Sequence, residues 1–236
     1  MRNEKLILSL DNPDCQKTIR LLDEIGGKVW WVKIGFQYLT MFQSNWLNYG
    51  LRYKLFLDLK FHDTPDAVAR NIKMVTEFGI SMTNMHISGG MEMMKRAIES
   101  ATKAARPLPI EKPILLGVTV LTTMTEYQFY QSVTSERKVV DEVVRLAKNA
   151  KAIGLDGVIA SPLEIEAIRN ECGEDFIIVC PGIRPKWSRP NDQKRYTTPK
   201  RAIELGADYI VVGRPIMESK DPVGATLKIL EDIEGV

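Results

Sequence analysis

The stretch YKLFLDLKFHDTPDAVARNIKMVTEFG, residues 53–79, contains a complete strand–turn–helix unit. Residues 53–60 form a short apolar run that ends in Asp58 and Lys60, with the length and composition of a buried strand. Thr64-Pro65 reads as an N-cap followed by proline at the first helical position, where the missing N–H has no intrahelical partner to lose. Val68, Ile72 and Val75 then recur at i, i+4 and i+7, which is one face of a helix, and Gly79 stops it.

The same unit repeats in both directions. Upstream, KLILSLD (5–11) leads through an Asn12-Pro13 start into a helix with Ile19, Leu22 and Ile25 on one stripe, stopped by Gly26-Gly27. VWWVKIG (29–35) precedes a helix expected over 37–48. Downstream, SMTNMHI (81–87), PILLGVTVL (113–121) and GLDGVIAS (154–161) precede helices expected near 91–104, 136–152 and 162–170. FIIVC (176–180) is followed by a long loop and a helix near 198–205. ADYIVVG (207–213) is followed by a helix whose Val223, Leu227 and Leu230 are expected to face inward. Strands that alternate with helices imply a parallel sheet, because parallel neighbours need crossovers. Eight such units predict an α/β fold, a (β/α)8 barrel, as a single domain over residues 1–236. A doubly wound open sheet is the alternative, and its GxGxxG fingerprint is missing.

Composition narrows the function. The 236 residues carry 32 Lys+Arg against 30 Asp+Glu, a formal charge of +2, so no large one-sign field favours nucleic acid. The three cysteines, Cys15, Cys172 and Cys180, are far apart and fit a reducing compartment. The apolar run Leu6 to Leu10 is too short for a signal peptide or a membrane span, so a cytoplasmic protein is expected.

In a barrel, chemistry lies where strands end and loops begin. Those ends carry Asp11, Lys33, Asp58 with Lys60, His86, Thr122-Thr123, Ser161, Pro181-Gly182 and Gly213-Arg214, and Asp63 opens the loop after strand three. Asp58 and Lys60 are two apart and point the same way on an extended strand, with Lys33 on the neighbouring strand. An alternating array Lys33–Asp58–Lys60–Asp63 is therefore expected, holding both charges in a partly desolvated site. A surface ion-pair strip is the plainer reading of the same residues.

Gly213-Arg214 before a proline offers backbone N–H groups and a guanidinium to a phosphate; a plain turn with a solvated arginine is the alternative. Segment 181–201 carries seven Lys and Arg against the single acid Asp192. It reads as an RNA-binding patch, a solvated loop, or a lid whose charge and Gln193 close over an anion. His62 and His86, the only histidines, have no metal-site spacing, and no metal is inferred. Ser161 has no evident His or Asp partner, which argues against a nucleophile.

Together LSLD (8–11), VKIG (32–35), FLDLKFHDTP (56–65), GVTVLTTM (117–124), PGIRP (181–185), DQKR (192–195) and GADYIVVGRPI (206–216) resemble the orotidine 5′-phosphate decarboxylase family of bacterial type. The resemblance implies a (β/α)8 homodimer that converts orotidine 5′-monophosphate to UMP and CO2 in pyrimidine synthesis without metal or organic cofactor. It implies that Lys60 donates a proton to C6, that Asp58 stands near the departing carboxylate, and that Asp63 reaches the site of the other subunit. Lys33 and Asp11 would contact the ribose, Thr122 and Thr123 the base, and Arg184, Gln193, Gly213 and Arg214 the phosphate. The chain departs from the family pattern at Thr64 and at Ala67, which lacks a hydroxyl expected near the ribose. Its rivals are a magnesium-dependent sugar-phosphate decarboxylase or aldolase of the same superfamily, expected to have an acid where this chain has Lys33, and a silent phosphate- or RNA-binding barrel.

Overall fold

The computed structural model describes residues 3–10, 14–25, 27–38, 52–132, 137–189 and 191–234. Asp11, the Asn12-Pro13 helix start and most of the helix expected over 37–48 lie outside these residues. Eight strands, β1 (Asn3–Ser9), β2 (Val29–Ile34), β3 (Lys54–Phe61), β4 (Met82–His86), β5 (Ile114–Val118), β6 (Gly157–Ile159), β7 (Ile177–Cys180) and β8 (Tyr209–Val212), close into a barrel in chain order. Every neighbouring pair is parallel, including β1 with β8. The described helices are α1 (Cys15–Ile25), α2 (Pro65–Glu77), α3 (Met91–Ala105), α4 (Glu126–Ser132), α5 (Val139–Ile153), α6 (Ile165–Cys172), α7 (Pro199–Glu204), α8 (Arg214–Met217) and α9 (Pro222–Glu234). The (β/α)8 barrel read from the sequence is the fold observed.

Two cores hold it. Ile7, Trp31, Phe56, Met82, Leu116, Val179 and Val211 fill the barrel interior, while a larger cluster lies between barrel and helices. In that outer layer Val68, Ile72 and Val75 of α2 are buried together, the i, i+4, i+7 stripe read from the sequence. Each such fully buried side chain stabilises by roughly 1.5–3 kcal/mol relative to exposure. Side chains alternate along a strand, so Ser9, Lys33, Asp58 and Asn84 share the inward parity of Ile7, Trp31, Phe56 and Met82. The layer above the apolar plug is therefore polar, and it opens at the C-terminal mouth.

Three local expectations are corrected. In α9 the buried stripe is Ala225, Thr226, Ile229, Leu230 and Ile233: Leu230 is buried as expected, Val223 is half-buried against the core, and Leu227 is half-buried. The segment between β5 and β6 holds two helices, α4 and α5, where one was expected. Finally, β3 is not regular to its end: its register with β4 shifts between Leu57 and Phe61, and Lys60 has φ 50.

Candidate active site

Asp58 is the centre of the polar layer. Its Oδ2 lies 3.0 Å from Lys33 Nζ and its Oδ1 2.7 Å from Lys60 Nζ. Asn84 Nδ2 donates to the same Oδ1 at 2.6 Å. Lys33 lies opposite Phe56 in the β2–β3 register, which places its ammonium beside the next inward residue, Asp58. Burial opposes ionisation of Asp58, but the charges of Lys33 and then Lys60, with hydrogen bonds from Lys60 and Asn84, outweigh it. The pKa falls from 3.8 to about 2, so the carboxylate is ionised at neutral pH.

Lys60 reaches Asp58 by a route that plain strand alternation does not supply. Its left-handed backbone is costly for a residue with a Cβ and persists where the surroundings over-determine it. Asn84 does so here: its Oδ1 accepts the Lys60 backbone N–H at 2.7 Å while its amide donates to Asp58. Asn84 was missed in the sequence reading. Its only signal was parity, since Asn84 lies two positions from Met82 and so shares that residue's face of β4.

Asp63 does not join the array of its own chain. It is exposed, its Oδ1 accepts the Thr64 backbone N–H at 2.6 Å, and it is not among the residues around the cavity.

That cavity measures about 560 Å³ and runs from Lys33, Asp58 and Lys60 past Thr122 and Thr123 to Gln193, Arg184, Gly213 and Arg214. Its volume lies within the ~300–1,000 Å³ usual for small-molecule sites. Arg184 is buried, and burial, then the nearby Arg214, pushes its guanidinium pKa down. Two guanidiniums so close gain from an anion between them. Arg214 pairs with Asp192, which is held below the usual carboxylate range by that bond. Gln193 Oε1 is buried with no hydrogen-bond partner among the described residues.

The basic segment is tied down at its base. Ile183 and Thr197 form a parallel bridge, with Arg184 N donating to Thr197 O at 2.8 Å. Gly182, at φ 78, is required there, because a Cβ would come within 2.8 Å of the Arg195 carbonyl oxygen. Trp187 and Tyr196 are exposed. Ser161 is buried and caps the following turn by accepting from Leu163 N at 3.2 Å. The His62 and His86 rings lie with centroids 5.2 Å apart and planes tilted by 34°, and burial, then His62 and Lys60, keep His86 below its usual pKa. Among the described residues, no three His, Cys, Asp or Glu side chains gather as a metal site, and no helix is long and apolar enough to cross a membrane.

A family model described as orotidine 5′-phosphate decarboxylase / HUMPS matches residues 4–229. The chain belongs to this family. An orotidine 5′-phosphate decarboxylase of Syntrophomonas wolfei is 41% identical over 98% of both chains, and one of a Nostoc species is 35% identical over 100% of both. A crystal structure of orotidine 5′-phosphate decarboxylase from Lactobacillus acidophilus superposes with a TM-score of 0.82 at 34% identity, covering 98% of this chain and 99% of that one. The decarboxylase-family match thus takes in residues of all eight strands and every residue around the cavity.

Proposed function

We propose that this protein, one catalytic domain over 1–236, decarboxylates orotidine 5′-monophosphate to UMP and CO2 in pyrimidine synthesis, without metal or cofactor, and acts in the cytoplasm. The observation that carries the reading is the Lys33–Asp58–Lys60 array at one end of a cavity whose other end presents Arg184, Gln193 and Arg214. A nucleotide with a carboxylate on its base and a phosphate on its ribose matches both ends. Asp11, outside the described residues, and Lys33 would hold the ribose hydroxyls, and Thr122 and Thr123 would lie along the base.

Breaking the bond from C6 to the carboxylate leaves the electron pair on C6, in the ring plane, where the π system cannot take it up. A positioned ammonium must therefore meet the charge and then supply the proton. Lys60 Nζ, already oriented by Asp58 at 2.7 Å, gives that proton to C6 and is reprotonated from solvent. Asp58, anionic and buried, stands beside the departing carboxylate, and release of neutral CO2 relieves that contact. Phosphate binding at Arg184, Gln193 and Arg214 closes the 182–195 loop over the base and excludes water.

The protein is read as a homodimer in which Asp63 enters the partner's site. Its exposure outside its own cavity supports this, as does the exposed apolar side chain of Met91 at the start of α3.

The test is the fall in absorbance as orotidine 5′-monophosphate is consumed by protein treated with EDTA. Turnover equal to that of untreated protein is expected. Turnover that appears only on adding Mg²⁺ would sink this reading in favour of the sugar-phosphate enzymes. Lys33, where those are expected to carry an acid, argues against them.

A further inference from the structure

Arg195 and Glu164 form a buried ion pair away from the reacting end, and their placement ties together two loops that line the cavity. Glu164 lies on the 3-10 turn Pro162–Glu164 after β6, and its side chain is only 4% exposed. Arg195 Nη1 donates to Glu164 Oε1 at 2.7 Å. Its other amino group, Nη2, donates to the carbonyl oxygens of Val120 at 3.3 Å and Leu121 at 3.2 Å. Those two residues immediately precede Thr122 and Thr123, and Gln193 lies two residues before Arg195. Gly182 brings the third segment within reach, because its missing Cβ leaves room for the Arg195 carbonyl.

A buried charge pair is an expensive way to gain stability, since desolvating both ions offsets much of their attraction. What it supplies is direction. The guanidinium fork meets a carboxylate and two carbonyls at once, which a lysine ammonium cannot do from one point. Burial pushes the Glu164 carboxyl up and the Arg195 charge opposes that shift, so the buried carboxylate relies on Arg195.

We propose that Arg195, backed by Glu164, is a positioning residue that couples the phosphate-facing loop carrying Gln193 to the base-facing loop carrying Thr122 and Thr123. The inference rests on the functional reading above. Grip on the phosphate then fixes the Arg195 backbone, and Arg195 in turn fixes the 120–121 carbonyls and the hydroxyls that follow them. Binding energy from the remote phosphate is thereby spent at the reacting base.

The experiment compares kcat/KM for orotidine 5′-monophosphate with that for orotidine, which lacks the phosphate, in wild type and Arg195→Ala. A role confined to folding lowers both alike. The coupling predicts that the nucleotide-to-nucleoside ratio falls by about tenfold or more. A smaller fall overturns it. If Arg195→Ala does not fold, Arg195→Lys, which keeps the ion pair with Glu164 but not both carbonyl contacts, is read by the same ratio with about threefold as the dividing line. A wild type that turns over neither compound overturns the functional reading and this one with it. An active wild type with an unchanged ratio in the variant overturns this one alone.

Discussion

Asp58 receives Lys33, Lys60 and Asn84 at once, and that crowding has a pH signature. Its folded pKa of about 2 lies below its unfolded value of 3.8, so the stabilisation is complete above about pH 4 and is lost as pH falls through 2. The difference corresponds to about 2 kcal/mol. Acid unfolding monitored by circular dichroism is predicted to show this loss between pH 4 and 2, and Asp58→Asn to flatten it; an unchanged profile in the variant would contradict the assignment. Asn84 has a different role. Asn84→Ala frees the Lys60 backbone and removes a donor from Asp58, so we predict a fall in kcat of about tenfold or more with KM little changed. A KM effect alone would show that Asn84 binds substrate and does not position Lys60.

At the scale of elements, the barrel was legible because each strand and helix announces itself locally. The 53–79 unit shows it best: Thr64-Pro65, the Val68–Ile72–Val75 stripe and Gly79 all lie where the helix begins, packs and ends. The end of β3 was not legible. The shift of register there depends on Asn84 from another strand, a contact that no window of 53–79 contains. The Glu164–Arg195 clasp escaped for the same reason, since its partners are 31 residues apart. The β8–α8 junction carries its own prediction. Arg214 supplies a charged hydrogen-bond donor facing Arg184, so Arg214→Ala is expected to raise KM for orotidine 5′-monophosphate by about tenfold to a hundredfold. Orotidine, without the phosphate, should be affected far less, and an equal loss on both compounds would deny Arg214 its phosphate role.

Across the whole molecule, a net charge of only +2 conceals a strong sorting of charge. Lysine and aspartate alternate at the mouth, two arginines face the far end of the cavity, and the plug beneath is apolar. The dimer reading is testable at this scale. If Asp63 serves the partner's site, mixing Asp63→Ala with Lys60→Ala creates heterodimers holding one intact site, and about a quarter of wild-type activity should return. No recovery under conditions where subunits exchange would place Asp63 elsewhere. The central claim, however, is that Lys60 supplies the proton to C6. Its most direct measurement is kcat for orotidine 5′-monophosphate with EDTA-treated Lys60→Ala, alongside UMP affinity to show that the cavity is intact. The account predicts a loss of about a thousandfold or more in kcat with UMP still bound, and near-normal turnover in that variant would contradict it.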